Sequence, residues 1–115
     1  MLYRGSCHCS QIQFEVDLEL TQMISCNCSI CKKKGYLLAF VPDEHFKLVS
    51  GESELKDYQF GKKNVHHYFC SHCGVTSFAS GKGPDGKKMC AINIRCLIDV
   101  NLDSIKIQNF DGASL

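Results

Sequence analysis

Seven cysteines in this 115-residue chain fall into groups whose spacing suits metal ligation: Cys7-x-Cys9, Cys26-x-Cys28-x-x-Cys31 and Cys70-x-x-Cys73. Cysteines this close along the chain do not pair with each other as ordinary staples, the total of nine is odd, and no export signal is visible. In a reducing compartment such groups read as zinc sites. Cys70-x-x-Cys73-Gly74 is the most specific of them. A tight turn lets two thiolates share one metal, backbone N–H groups aim at the sulfurs, and the glycine supplies the positive φ that the turn needs.

One such turn supplies two ligands, and a closed tetrahedral site needs two more. Spacing offers two donors. Cys28 and Cys31 would make a ribbon-like site, stranding Cys7, Cys9 and Cys26. Cys7 and Cys9 would instead tie the N-terminus to mid-chain and leave Cys26, Cys28 and Cys31 as a self-contained trio. The second division gives one closed zinc and one zinc with an open position, which a catalytic metal requires. The rivals are a single structural zinc with spare thiols, and a redox Cys-x-x-Cys, which normally follows a strand and opens a helix.

The elements that position these groups are short. Ile12, Phe14, Val16 and Leu18 alternate with polar residues, a period of two that predicts a half-buried strand. Tyr36 to Val41 is continuously apolar and predicts a buried strand, ended by Pro42. Pro42 to Phe46 suits one helical turn, since proline fits the first helical position. Leu48 and Val49 resume the apolar character before Ser50-Gly51. Further strands are expected over Leu55 to Phe60, Val65 to Phe69, Val75 to Ala79 and Lys88 to Ile94, with a last short one around Ile105 and Ile107. Gly83-Pro84-Asp85-Gly86 is strong turn chemistry. No long amphipathic helix is evident, so the expected class is mainly β, in one domain over residues 1–115.

Composition narrows the function. Thirteen basic against twelve acidic side chains give a net charge of +1, without the basic excess of a nucleic-acid surface. No run approaches the about 18 apolar residues that span a bilayer. The expectation is a cytoplasmic protein with no membrane and no nucleic-acid partner. A chain of this size buries roughly 65% of its unfolded surface, so the core is thin and a metal cross-link is a plausible supplement.

Gly5-x-Cys7-x-Cys9, Cys26-x-Cys28-x-x-Cys31 and Phe69-Cys70-x-x-Cys73-Gly74, with Asn93-Ile94-Arg95-Cys96-Leu97 and a late Phe110-Asp111-Gly112, together resemble the glutathione-dependent formaldehyde-activating enzyme (GFA) family, whose domain also occurs in centromere protein V. The resemblance implies a small zinc-bearing β-tent of short antiparallel strands. It assigns Cys7, Cys9, Cys70 and Cys73 to a structural zinc, and Cys26, Cys28 and Cys31 to a catalytic one. It implies a carbon–sulfur lyase acting on glutathione and formaldehyde, by way of S-(hydroxymethyl)glutathione. The alternative it carries is a non-catalytic zinc module that binds a protein or chromatin.

Other residues are ranked lower. Lys32-Lys33-Lys34 could meet the carboxylates of a glutathione-like thiol, although a charge run is usually a solvated face. Cys96 is a further ligand or a core residue, and Cys90 is read as core. His66 and His67 share a predicted strand and so point to opposite faces, where one could carry a proton. His8 and His72 sit in the cysteine loops and are expected to face solvent. Tyr36 and Arg95 are candidate pocket residues.

Overall fold

A computed structural model describes residues 1–115. Strands β1 (Leu2–Ser6), β2 (Gln13–Asp17) and β5 (Phe46–Ser50) form an antiparallel three-stranded sheet in the order β1-β2-β5. The alternation around β2 does what its period predicts: Ile12, Phe14, Val16 and Leu18 are all buried.

The second sheet has seven strands in the order β10-β3-β4-β9-β8-β7-β6. Its members are β3 (Gln22–Cys26), β4 (Leu38–Pro42), β6 (Leu55–Tyr58), β7 (Val65–Cys70), β8 (Phe78–Lys82), β9 (Lys88–Asn93) and β10 (Lys106–Phe110). All neighbours are antiparallel except β10 and β3, which run parallel. That pair departs from the all-antiparallel expectation. The chain between the two strands is long enough for the crossover that a parallel pair needs.

The central strands are apolar on both faces, which is why β4 reads as an unbroken apolar run. One face carries Val41, Phe78, Cys90 and Ile92 into the main core with Ile12, Phe14 and Val16 of the small sheet. An aromatic chain crosses between the sheets: Phe14 to Phe46 at 5.5 Å, Phe46 to Phe78 at 4.5 Å, and Phe78 to Tyr68 at 5.2 Å between ring centroids. The other face holds Leu38, Ala79, Ala91 and His67 and packs against the loop that carries Cys26 to Cys31. Phe40 also lies on that face and is half exposed, so the expected strand Tyr36 to Val41 is not buried throughout.

Three boundaries differ from expectation. Pro42 ends β4 and stands just outside the 3-10 turn Asp43–His45, with ψ 150°, rather than at its first position. β8 starts at Phe78, not Val75. Val75 accepts the Cys70 N–H at 3.0 Å to close the cysteine turn, and Ser77 accepts the Asn93 N–H at 2.9 Å. A four-residue helix α1 (Cys31–Lys34) was not anticipated, and it ends on Gly35 in the left-handed conformation. No helix is long and apolar enough to cross a membrane.

Phe14 is 1% exposed and starts the aromatic chain between the sheets. Phe14→Ala is expected to cost about 3–5 kcal/mol, read as a lower denaturant midpoint with an unchanged slope. A loss below about 1 kcal/mol would contradict this account of the core.

Candidate metal centres

The seven cysteines separate in space into four and three. The sulfurs of Cys7, Cys9, Cys70 and Cys73 lie within 4.8 Å of one another, as do those of Cys26, Cys28 and Cys31. No other histidine, cysteine or acidic side chain joins either group at that range. The ribbon-like alternative is therefore not the one the fold assembles. Cys96 stands apart, its Sγ 3.8 Å from the Thr76 carbonyl, and Cys90 is buried beside Asp43 at 3.5 Å.

The group of four is built from two similar turns. Cys7 N–H bonds to the Ile12 carbonyl at 3.1 Å, and Cys70 N–H to the Val75 carbonyl at 3.0 Å. Each turn also aims an N–H at a sulfur: Ile12 at Cys7 Sγ (3.3 Å) and His72 at Cys70 Sγ (3.4 Å). Gly74 has φ +78°, as its turn predicts. The sulfurs touch between the turns, Cys9 to Cys70 at 3.6 Å, and within the first turn, Cys7 to Cys9 at 3.7 Å. His8 and His72 are exposed, and His72 pairs with Glu54 at 2.6 Å.

The group of three closes on the loop after β3. Cys28 N–H points at Cys26 Sγ and Cys31 N–H at Cys28 Sγ, both at 3.5 Å. Cys31 is the first residue of α1, so this Cys-x-x-Cys does follow a strand and open a helix, though only one turn of it. The C-terminal segment straps the loop in place. Asn27 donates to Asp111 at 3.0 Å and accepts from the Ala113 N–H at 2.9 Å. Gly112 lies against Cys26 and Cys28, where a Cβ would stand 2.5 Å from Cys26 Sγ and 3.3 Å from Cys28 Cβ. That close approach accounts for the Asp-Gly at the end of the chain.

Neither group can ionise fully without a cation. In the group of four, Cys73 is pulled down to about 6: burial opposes this, but the Val75 and Cys9 N–H groups and the thiols of Cys7 and Cys70 outweigh it. Cys9 is pushed up to about 12, because burial and the three neighbouring thiols overcome the Gln11 N–H. In the trio, burial and then the Cys28 thiol raise Cys31, while Cys28 is lowered against its own burial by the N–H and thiol of Cys31. One thiolate forms at its neighbours' expense, as expected of crowded acids that share protons. A divalent ion removes the conflict, and all-sulfur donor sets suit zinc or iron. The residues present therefore fit a metal at both places.

Two clefts flank the trio. A polar one brings Lys32, Arg95, Asn27 and Asn109 beside Cys26 and Cys31. An apolar one, 360 Å³, runs along the outer sheet face and includes His67, Tyr36, Ala79 and Ala91. Tyr36 and Arg95 thus fall where the sequence suggested. Lys34 bonds Thr76 Oγ1 at 3.0 Å, sits 5.7 Å from the Phe69 ring centroid, and lines with Lys33 a further cleft that none of the trio's cysteines borders. His66 is half-buried and bonds Asp57 at 2.6 Å, whereas His67 is buried on the opposite face.

A model of the family described as "Glutathione-dependent formaldehyde-activating enzyme" matches residues 2–107. The chain belongs to this family. A crystal structure of a Rhodobacter sphaeroides protein shares the fold with a TM-score of 0.79 and 26% identity, over 91% of this chain and 99% of that one. The GFA match stops short of the Phe110-Asp111-Gly112 strap.

His67 provides a pH test of this geometry. Burial, and then the charge of Lys34, lower its pKa from 6.5, with Asp57 opposing. The folded state therefore holds fewer protons than the unfolded state just below pH 6.5, and stability falls with acid there. Its contribution is complete above about 6.5 and is lost as pH drops through the folded pKa. The His67 imidazole resonances are expected to titrate with a midpoint below 6.5. A midpoint at or above that value would mean that the ring is not held in the apolar cleft.

Proposed function

We propose that this GFA-family protein is a zinc-dependent carbon–sulfur lyase, one domain over residues 1–115, that forms or cleaves a thiol–aldehyde adduct such as S-(hydroxymethyl)glutathione. The observation that carries this reading is the trio: three convergent thiols beside a cleft, with no fourth protein ligand to close the set. Cys7, Cys9, Cys70 and Cys73 would hold a structural zinc, and Cys26, Cys28 and Cys31 a catalytic one. A complete trio with an open side argues for an enzyme over a module that only binds a protein or chromatin.

Zinc at the trio would lower the pKa of a thiol taking the fourth position, so that its thiolate forms near neutral pH. The remaining work falls to the chain. Lys32 and Arg95 offer positive charge in the polar cleft, suited to the carboxylates of a glutathione-like thiol. Addition joins sulfur to the carbonyl carbon, opens the C=O π bond, and leaves the proton lost by the thiol on the carbonyl oxygen. No oxidant or reductant is involved. Cleavage is the same step reversed. His67, neutral on the cavity wall, is suited to carry that proton. The apolar wall around it keeps competing water away from the adduct.

Metal analysis should give two zinc ions per chain, falling to one in Cys28→Ser with the fold retained by circular dichroism. One ion per chain, indifferent to Cys28→Ser, would remove the catalytic reading. Exchange spectroscopy of glutathione with formaldehyde should show faster adduct exchange with enzyme than without, and Cys28→Ser should abolish the difference. Lys32→Ala with Arg95→Ala should weaken glutathione binding about a hundredfold or more, since charged hydrogen bonds contribute about 1.5–3 kcal/mol each and every 1.4 kcal/mol is about tenfold.

A further inference from the structure

The sheet register creates a hollow that a one-carbon aldehyde does not need. On the outer face of the large sheet, Phe40 pairs with Ala91, Ala91 with Ala79, and Ala79 with His67, a row across β4, β9, β8 and β7. Two alanines side by side, between a phenylalanine and a histidine, leave a trough in this face. The trough is the floor of the 360 Å³ cavity, and Cys26, Cys28 and Cys31 stand in its wall. Formaldehyde, comparable in size to a water at roughly 30 Å³, would leave most of that volume unfilled.

The lining is mostly apolar, with Lys62 and Asn64 at one end as polar exceptions, and its rim repeats the apolar pattern. Phe40, Phe60, Val65 and Phe110 are each 40–51% exposed and all border this one cavity. Scattered apolar residues need no explanation, but a contiguous rim around a hollow does. Two polar side chains in the same wall are poorly satisfied: His67 Nδ1 has no hydrogen-bond partner, and the Tyr36 hydroxyl has only the Thr76 side chain near it. A buried polar group left unpaired is costly. An apolar cavity with a few unpaired polar groups beside a reactive cluster is the usual form of a small-molecule site. Glutathione suits it poorly, because its carboxylates and ammonium would lose hydration there, whereas the cleft with Lys32 and Arg95 lies on the other side of the same sulfurs.

We infer that the carbonyl partner of the reaction is an aldehyde with an apolar body on the order of six to eight carbons, seated over Ala79 and Ala91 with its oxygen toward His67 and Tyr36, while the thiol enters from the Lys32 and Arg95 side. This rests on the carbon–sulfur lyase reading of the trio. The bond changes are those already described: the C–S bond forms, the C=O π bond opens, and the proton ends on oxygen. The apolar body changes only which aldehyde is selected.

The test has a binding arm and a rate arm. Hexanol, which cannot react, should bind the zinc-loaded protein and shift the amide signals of Ala79 and Ala91. The acceleration of adduct exchange with glutathione over the uncatalysed rate should rise from formaldehyde through butanal to hexanal, up to about fourfold per buried methylene. Ala91→Phe should cut the hexanal-to-formaldehyde rate ratio at least tenfold. Ala79→Val, a smaller intrusion, should cut it less and serves if the first variant does not fold. The inference is overturned if hexanol fails to bind, if the rate ratio is flat with chain length, or if neither variant changes it. It is also overturned if the face proves to be covered by a second copy, seen as a dimer that Ala91→Phe disrupts and that does not bind hexanol. Exchange with formaldehyde alone would sink the inference and keep the lyase reading. Hexanol binding with no exchange for any aldehyde would sink the lyase reading, and the inference with it.

Discussion

The contact between Cys9 and Cys70, 3.6 Å across a separation of 61 residues, is the constraint on which the rest of the arrangement depends. Cys9 follows β1 of the small sheet, and Cys70 ends β7 of the large one. Four sulfurs gathered there clamp the two sheets at one end, and the Phe14–Phe46–Phe78–Tyr68 chain fills the space between them. Thiols in contact attract each other weakly, and thiolates repel. The clamp therefore has its full strength only around a cation, and binding free energy at such a site is folding free energy. For a chain of 115 residues with a thin core, a metal bound there would supply a large share of what holds the fold.

The clamp also frees the outer face of the large sheet. With the inner face and the cysteine turns joining the sheets, β4, β9 and β8 do not need a helix layer over their other side. What lies there instead is the Cys26–Cys31 loop, one turn of helix and the C-terminal strap. The loop is held by specific bonds, Asn27 to Asp111 and Ala113, and not by deep burial. Cys26 and Cys28 stay half buried, reachable from the clefts. The two sulfur groups differ in position: one joins the two sheets at one end, and the other stands at the edge of an open face.

Local chemistry was readable from the chain and non-local geometry was not. The period of two through Ile12 to Leu18 predicts a half-buried strand because it needs only the pleat and one buried face. The Cys70 turn is equally local, a hydrogen-bonded loop with glycine where φ must be positive. The helix α1 was missed because four residues carry no amphipathic period. Its signal was the lysine run ahead of Gly35, a basic last turn before a glycine cap. The start of β8 was misplaced because Val75 and Ser77 look like strand residues but spend their backbone bonds on the cysteine turn and on Asn93. The parallel pairing of β10 with β3 joins residues 22–26 to 106–110 and leaves no local trace.

The same distinction bears on how the site is specified. The three sulfurs of the trio come from six consecutive residues, so their clustering is local and legible, although spacing left open which thiols share a site. The cavity beside them comes from β4, β7, β8 and β9, and its shape is set by which side chains the register brings together. Ala79 and Ala91 are unremarkable in the sequence, since alanine in a strand suggests only a small core residue. They become a trough because they are direct cross-strand partners, and a slip of one residue in β8 would turn Ala79 to the other face and bring Phe78 or Ser80 into its place. The reaction can thus be kept while the sheet alters the size of what is admitted. Selectivity here is a property of register, carried by residues that bear no reactive group.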